Sequence, residues 1–127
     1  MEKRILITGS ILGFLSILLG AFASHGLQSI LNEQQIVSFQ TGVRYQFYHV
    51  FLFLFLANTK YVKASFKTII YWLTVVGILL FSGSIYVLTV DEYILGNNIK
   101  GIAFLTPIGG LLLLCSWATL LFSLSKK

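Results

Sequence analysis

Four stretches without Asp, Glu, Lys or Arg divide the chain into apolar segments separated by charged positions. Three of these stretches, with 28, 23 and 25 residues, are residues 5–32, 68–90 and 101–125. A helix needs about 20 residues to cross about 30 Å of hydrocarbon, so each of the three is long enough to span a membrane. The fourth stretch, between Arg44 and Lys60, has only 15 residues. It predicts a span only if its helix begins earlier and carries Arg44 into the membrane.

The residues before this short stretch supply a helix start. Asn32 is a favourable N-cap, and Gln35 follows three residues later in the capping-box position. The pattern therefore predicts one helix from about Glu33 to Thr59, about 40 Å long, with its first turns at or outside the membrane interface. The alternative is a short interfacial helix, Leu27–Ser38, that bends into a spanning one.

The lysines and arginines predict the orientation. They cluster at the N-terminus, in the second connection and at the C-terminus, so seven of the nine lie on one side if the chain crosses four times. That side is predicted to be the cytoplasm, because cytoplasmic loops are enriched in Lys and Arg. A three-span alternative leaves residues 44–59 as a loop, which contradicts their aromatic and aliphatic content.

These patterns predict an all-α integral membrane protein, a four-helix bundle whose N-terminus and C-terminus are both cytoplasmic. We expect residues 1–127 to form a single multi-pass domain in the cell membrane. The predicted spans are residues 5–25, 39–59, 68–90 and 101–125, with an outer-surface helix or helix extension over residues 28–38.

Composition agrees with a membrane protein. Hydrophobic residues make up 57% of the chain and charged residues only 10%, whereas a typical soluble domain has about 25% charged residues. The net charge of +5 is carried by short clusters between apolar runs, which is a pattern of membrane topology. We therefore predict the lipid bilayer, and no nucleic acid, as a partner.

Glycines recur at helical spacing on two of the predicted helices. Gly9 and Gly13 form a GxxxG pair that Gly20 extends, and Gly109 and Gly110 lie on the last helix. Small residues let helix backbones approach closely within a membrane, so we predict that these glycines pack helices together. The alternative interpretation is that glycine stripes line a pore.

Polar residues on the second predicted helix give the strongest functional signal. Arg44 is predicted in the outer half of the membrane and His49 nearer its middle. A charged side chain at the membrane centre costs about 2.5–3.5 kcal/mol on insertion scales, less near the interface. Two interpretations stay open: Arg44 extends to lipid phosphates or to backbone carbonyls that close the bundle, or it binds an anionic or polar ligand.

Polar residues of the other predicted helices also fall in the outer half of the membrane. Pro107 removes a backbone donor and leaves carbonyls that need partners, and Arg44 is a candidate donor to them. The hypothesis is an outward-facing polar cluster that consists of His25, Arg44, Tyr48, His49, Ser82, Ser84, Tyr86 and Thr106.

The sequence contains no catalytic constellation. Asp91 and Glu92 are assigned to the outer loop, so the predicted spans hold no acidic residue. Two histidines without carboxylate or cysteine partners make a weak metal site. Cys115, the only cysteine, is predicted to be a buried apolar filler. We therefore expect no enzymatic activity, no metal and no cofactor.

Four sequence motifs resemble those of a known family. They are GAFASHGL at residues 20–27, TGVRYQFYH at 41–49, FSGSIY at 81–86 and LTPIGG at 105–110. In this order, and over essentially the whole chain, they resemble a widespread family of small membrane proteins typified by YwdK and YgdD. Ala23 stands where that family usually has Gly. The resemblance implies a four-helix inner-membrane protein of no established biochemical activity.

Two functional hypotheses follow. The first is non-enzymatic binding or passage of a small anionic or polar species at the outer-half polar cluster around Arg44. The alternative is a structural or accessory membrane subunit that associates through its glycine-rich helix faces. Either hypothesis allows a homo-oligomer or a larger membrane complex.

Overall fold

A computed structural model describes residues 1–94 and 100–126 of the chain, and within them it is all helical. The elements are α1 (Glu2–His25), α2 (Glu33–Asn58), α3 (Ala64–Ile94), a short 3-10 helix (Lys100–Phe104) and α4 (Leu105–Ser125). The predicted all-α class is confirmed. Three segments are long and apolar enough to cross a membrane, namely Glu2–His25, Ala64–Asp91 and Gly101–Ser125.

The start of α2 follows the predicted capping box. The Asn32 side chain accepts a hydrogen bond from the Gln35 backbone N–H at 2.8 Å, and the Asn32 N–H donates to the Gln35 side chain at 2.9 Å. Leu31 and Ile36, on either side of this box, belong to one apolar cluster, as in a hydrophobic staple. From Glu33 the helix is continuous, so the alternative of a separate interfacial helix over residues 27–38 is wrong.

Glycines of α1 bring it against α2. A Cβ built at Gly9 comes within 3.0 Å of the Phe53 side chain, and one at Gly13 within 3.4 Å of Val50. Contacts further along α1 are therefore made with residues earlier in α2, so the two helices are antiparallel. Gly20 continues the contact against Val43, at 3.6 Å. The α1 glycines thus face α2 rather than a pore.

The contact between α3 and α4 is closer still. A Cβ built at Gly109 overlaps the backbone nitrogen of Phe81 and comes within 2.8 Å of the Gly77 carbonyl oxygen. Gly77 in turn has the Leu113 side chain within 2.7 Å of its built Cβ. The absence of side chains lets the two backbones touch, which is the usual way for helices to pack in lipid.

Side chains from α1, α2, α3 and α4 meet in one apolar core. Phe53 of α2 contacts Tyr71 of α3 with ring centroids 5.8 Å apart, and Ile5, Ile70 and Leu113 are buried in the same cluster. Consecutive helices run in opposite directions, so both chain ends lie at one end of the bundle. The C-terminal ends of α1 and α3 lie at the opposite end.

Two sequence predictions are corrected by the fold. Asp91 does not lie in a loop, because α3 continues to Ile94, and Asp91 is only 1% exposed. Cys115 is exposed rather than buried. It lies one residue from Ser116, which is fully buried against α3, so Cys115 projects away from that contact. Glu92 is also within α3, although its side chain lies outside the described residues.

We expect Gly109→Ala to lower the free energy of unfolding by about 1–3 kcal/mol, because the new methyl group forces the α3 and α4 backbones apart. The matched control is Gly110→Ala, where a built Cβ lies 3.6 Å from the Phe81 ring, an ordinary contact distance. Equilibrium unfolding in mixed micelles measures both. Equal effects of the two substitutions contradict the proposed packing.

Candidate functional site

A buried amide on α2 links three helices. The Gln46 side chain is 3% exposed. Its Nε2 donates to the Leu12 carbonyl of α1 at 2.9 Å, and its Oε1 accepts a hydrogen bond from the Tyr86 hydroxyl of α3 at 2.8 Å. The Tyr86 ring also packs on Phe39, with centroids 4.9 Å apart. Gln46 was not among the predicted cluster residues, although its spacing from Gly42 and His49 puts all three on one helix face.

Gly42, one turn before Gln46 on α2, makes a second contact with α3. Ser82 donates its hydroxyl to the Gly42 carbonyl at 2.7 Å. A Cβ built at Gly42 comes within 2.9 Å of the Tyr86 ring, so a larger residue here displaces Tyr86. The TGVRYQFYH and FSGSIY motifs therefore meet each other through Gly42, Gln46, Ser82 and Tyr86.

The FSGSIY motif also reaches the LTPIGG motif of α4. The Ser84 hydroxyl donates to the Phe81 carbonyl at 2.9 Å and accepts a hydrogen bond from the Thr106 hydroxyl at 2.5 Å. Deeper in the same interface, the Thr74 and Ser116 hydroxyls pair at 2.5 Å. These hydroxyls are thus hydrogen bonded to one another and to backbone carbonyls of α3.

His49 is held by two partners and is buried. The Trp117 indole N–H, which only donates, lies 3.0 Å from Nε2, so Nε2 must be an acceptor. The ring proton is therefore on Nδ1, which donates to the Tyr45 carbonyl at 2.6 Å. This neutral tautomer uses both ring nitrogens, so His49 has no free nitrogen for a metal. Within residues 1–94 and 100–126, no three His, Cys, Asp or Glu side chains group as a metal site requires.

Arg44 and Tyr48 lie on the opposite side of α2 and are exposed. The Arg44 guanidinium donates to the Thr41 hydroxyl at 3.3 Å, and Thr41 donates to the Val37 carbonyl at 2.9 Å. Because Thr41 precedes Arg44 by one turn, the guanidinium points toward the N-terminal end of α2. The structure shows no contact of Arg44 with the backbone around Pro107.

The predicted cluster therefore separates into two groups. His49, Ser82, Ser84, Tyr86 and Thr106 face the interior and bind one another's helices. Arg44, Tyr48 and His25 are exposed, and His25 lies at the last turn of α1. No single cavity brings all eight together.

One surface groove is lined by Arg44 and Tyr48, and a separate polar cavity lies nearer the start of α2. An apolar groove of about 210 Å³ runs between α1 and α2 beside Arg44 and is lined by Ser16, Ile17, Val43, Arg44, Phe47 and Tyr48. A polar cavity of about 390 Å³ lies at the capped end of α2, against α3. It is lined by Asn32, Gln34, Gln35, Ser38, Ile85, Leu88 and Thr89. Two of these polar residues, Asn32 and Gln35, are already engaged in the capping box.

The opposite end of the bundle holds a second polar contact that the sequence did not reveal. Lys67, only 5% exposed, donates to the Glu2 carboxylate at 3.1 Å, and the hydroxyls of Thr8 and Tyr71 pair at 2.7 Å. Both contacts join α1 to α3. The sequence pattern explains Lys67 as a charge that sets the topology. It does not reveal the contact with Glu2, because the two residues are 65 positions apart.

We expect Gln46→Leu and Tyr86→Phe to destabilise the bundle and to be coupled by about 0.6–1.7 kcal/mol, the range of interhelical hydrogen bonds in membranes. A double-mutant cycle on unfolding in mixed micelles measures the coupling. The control pair is Gln46→Leu with Thr119→Val. The Thr119 hydroxyl donates to the Cys115 carbonyl of its own helix, α4, so we expect no coupling to Gln46. Coupling of the first pair no larger than that of the control pair contradicts a Gln46–Tyr86 bond.

The chain is similar to known membrane proteins over almost its full length. A Haemophilus influenzae UPF0382 membrane protein is 36% identical and aligns with 100% of this chain and 98% of its own length. The UPF0382 membrane protein YwdK of Bacillus subtilis is 35% identical, covering 98% of each chain. The UPF0382 inner membrane protein YgdD of Escherichia coli K12 is 35% identical, covering 94% of this chain and 88% of its own.

No solved structure matches the chain. The family model described as "Protein of unknown function (DUF423)" matches residues 19–110, a segment that contains all four motifs. The resemblance drawn from those motifs is therefore confirmed. With three apolar helices and relatives named as membrane proteins, this chain belongs to the DUF423 family of membrane proteins, for which no biochemical activity is established.

Proposed function

We propose that this is a non-enzymatic, four-span protein of the cell membrane that binds an anionic group at Arg44, in the outer half of the bilayer. The observation that carries the proposal is an exposed guanidinium directed along α2 toward its N-terminal end. Among the side chains that the structure describes, which do not include that of Glu92, Arg44 has a hydroxyl partner and no acidic one.

The packing of α2 supports a fourth span. By composition α2 is less apolar than α1, α3 and α4, yet it lies between α1 and α3 and contacts both along its length. If its neighbours cross the membrane, α2 crosses with them. Its polar side chains Gln46 and His49 point inward and are paired, which makes a less apolar helix compatible with lipid.

The position of Arg44 supports a role at the membrane surface. If the second span begins near residue 39, the Arg44 Cα lies about 7–8 Å inside the hydrocarbon boundary, at about 1.5 Å per residue. A long arginine side chain directed toward that boundary can bring its charge close to the interface. There it attracts anions while its aliphatic part stays in the apolar layer.

Contacts inside the bundle favour binding over passage through one chain. The inward polar groups of α2, α3 and α4 are paired with one another, so they do not line a continuous polar path. The alternative of an accessory subunit rested on association through glycine-rich helix faces. Helices of the same chain cover Gly9, Gly13 and Gly109, so these faces are not free for a partner. A partner subunit must therefore use another surface.

The proposed orientation predicts which positions react with a membrane-impermeant thiol reagent. Cys115 is exposed, so the test begins from Cys115→Ser. On that background, Gln28→Cys in the first connection should react in intact cells, and Lys63→Cys in the second connection should react only after permeabilisation. Both native side chains are exposed, so burial does not block the reagent. Reaction in the reverse order contradicts cytoplasmic termini.

Anion binding predicts a stabilising effect of inorganic phosphate on the detergent-solubilised protein. A lone guanidinium implies a millimolar Kd, and phosphate at about ten times Kd adds about 1.4 kcal/mol, a shift of several degrees in Tm. Chloride at matched ionic strength is the reference. Because phosphate also stabilises proteins non-specifically, the readout is the difference between wild type and Arg44→Gln.

Lys63→Gln is the matched control, since it removes one exposed positive charge at the predicted cytoplasmic side. It should keep the phosphate shift, Arg44→Lys should keep part of it, and Arg44→Gln should lose it. An equal phosphate shift in wild type and Arg44→Gln contradicts an anion site at Arg44.

A further inference from the structure

We propose that Arg44 and the groove beside it form a binding site for an anionic glycerophospholipid of the outer leaflet. The phosphate lies on the guanidinium, and one acyl chain lies in the groove between α1 and α2. This inference rests on the proposed anion site and names its ligand class. It differs from simple extension of Arg44 to the interface, because it requires a preference for lipid charge and a role for the groove.

The groove continues from the guanidinium into the apolar layer. Val43 and Arg44 form its upper part, and Phe47 and Tyr48 lie one turn further along α2. Its other wall is α1, at Ser16 and Ile17. Ser16 donates its hydroxyl to the Leu12 carbonyl at 2.7 Å, so it presents no unpaired donor to the groove. A charged group above a narrow apolar groove matches the shape of a phospholipid with its head group up.

Thr41 orients the guanidinium for this ligand. Its hydroxyl donates to the Val37 carbonyl and accepts from one Arg44 nitrogen, so that nitrogen is turned toward the N-terminal end of α2. Guanidinium has five N–H donors, of which the structure uses one within the described residues. The others remain for phosphate oxygens, and bidentate Arg–phosphate pairing is a strong interaction.

Charge distribution argues against a second copy of this chain as the occupant. The chain has only four acidic residues, at positions 2, 33, 91 and 92, all near helix ends. Glu2 is at the other end of the bundle, and Glu33 lies three turns before Arg44 on α2. Positions 91 and 92 are in the last turn of α3, beyond Ser82 and Tyr86, which lie level with Gly42 and Gln46. A second copy packed on the α1–α2 face therefore has no carboxylate at the depth of Arg44, whereas every phospholipid of that leaflet has a phosphate above it.

The experiment is native mass spectrometry of the purified protein released from bilayers of equal parts phosphatidylglycerol and phosphatidylcholine. The wild type should retain phosphatidylglycerol over phosphatidylcholine by about tenfold, because both lipids bring a phosphate to Arg44 but only phosphatidylcholine also brings a choline cation, which repels the guanidinium. Arg44→Gln should remove this preference, and Arg44→Lys should keep part of it. As a control for folding, the Tm of each variant in detergent without added lipid should equal that of the wild type.

The groove is tested by Ile17→Trp, which fills it from an exposed position, with Ile11→Trp as the control on the same helix outside the groove. Ile17→Trp should lower phospholipid retention severalfold and leave the phosphate-induced Tm shift intact, and Ile11→Trp should change neither. Retention of phosphatidylglycerol by Arg44→Gln at the wild-type level overturns the lipid site.

The outcomes separate this inference from the function on which it rests. A phosphate shift that depends on Arg44, together with equal retention of both lipids, leaves the anion site and refutes the lipid site. Loss of both effects refutes both proposals. Release of a dimer whose abundance depends on Arg44, without bound lipid, overturns the lipid site in favour of contact between copies.

Discussion

Hydrocarbon offers no hydrogen-bond partners, so each polar side chain that a helix turns into this bundle has to be satisfied by a carbonyl of its own helix or by a group on another helix. Gln46 satisfies this requirement for three helices at once, through the Leu12 carbonyl and the Tyr86 hydroxyl. His49 meets it with Tyr45 and Trp117. Gln46 and His49, two of the polar residues of α2, therefore make its polar contacts with α1, α3 and α4.

Close packing and polar pairing depend on each other here. Gly42 lets α3 approach until the Tyr86 ring is near the α2 backbone, and the same approach brings the Ser82 hydroxyl to the Gly42 carbonyl. Gly109 does the same for α4, where Ser84 and Thr106 meet just above the glycine contact. The motifs at residues 41–49, 81–86 and 105–110 thus contain much of the contact surface between α2, α3 and α4, which explains their small, hydroxyl and amide residues.

Arg44, like Tyr48 and His25, is a motif residue that these interior contacts do not use. Its neighbours in sequence, Val43 and Gly42, face α1 and α3, whereas Arg44 lies on the exposed side of α2. An interior role would require a carboxylate or free carbonyls, and the interior side chains Gln46, His49, Ser82, Ser84, Tyr86 and Thr106 are hydrogen bonded to other partners. The Arg44 guanidinium is therefore accessible to lipid or solute, and a groove of apolar side chains lies beside it.

The sequence by itself determined the helices, the capping box at Asn32 and the family, because these depend on local spacing, on hydropathy and on motif identity. It also identified Ser82, Ser84, Tyr86 and Thr106 as polar residues of one region. It did not determine their partners, since a hydrogen bond such as Lys67–Glu2 joins residues 65 positions apart and leaves no local pattern. Nor did it determine that Gln46 faces inward and Arg44 outward, because a helix with polar residues on two faces has two possible rotations. Only the tertiary structure decided between them, through the glycines that fix how closely, and at which face, each neighbouring helix approaches α2.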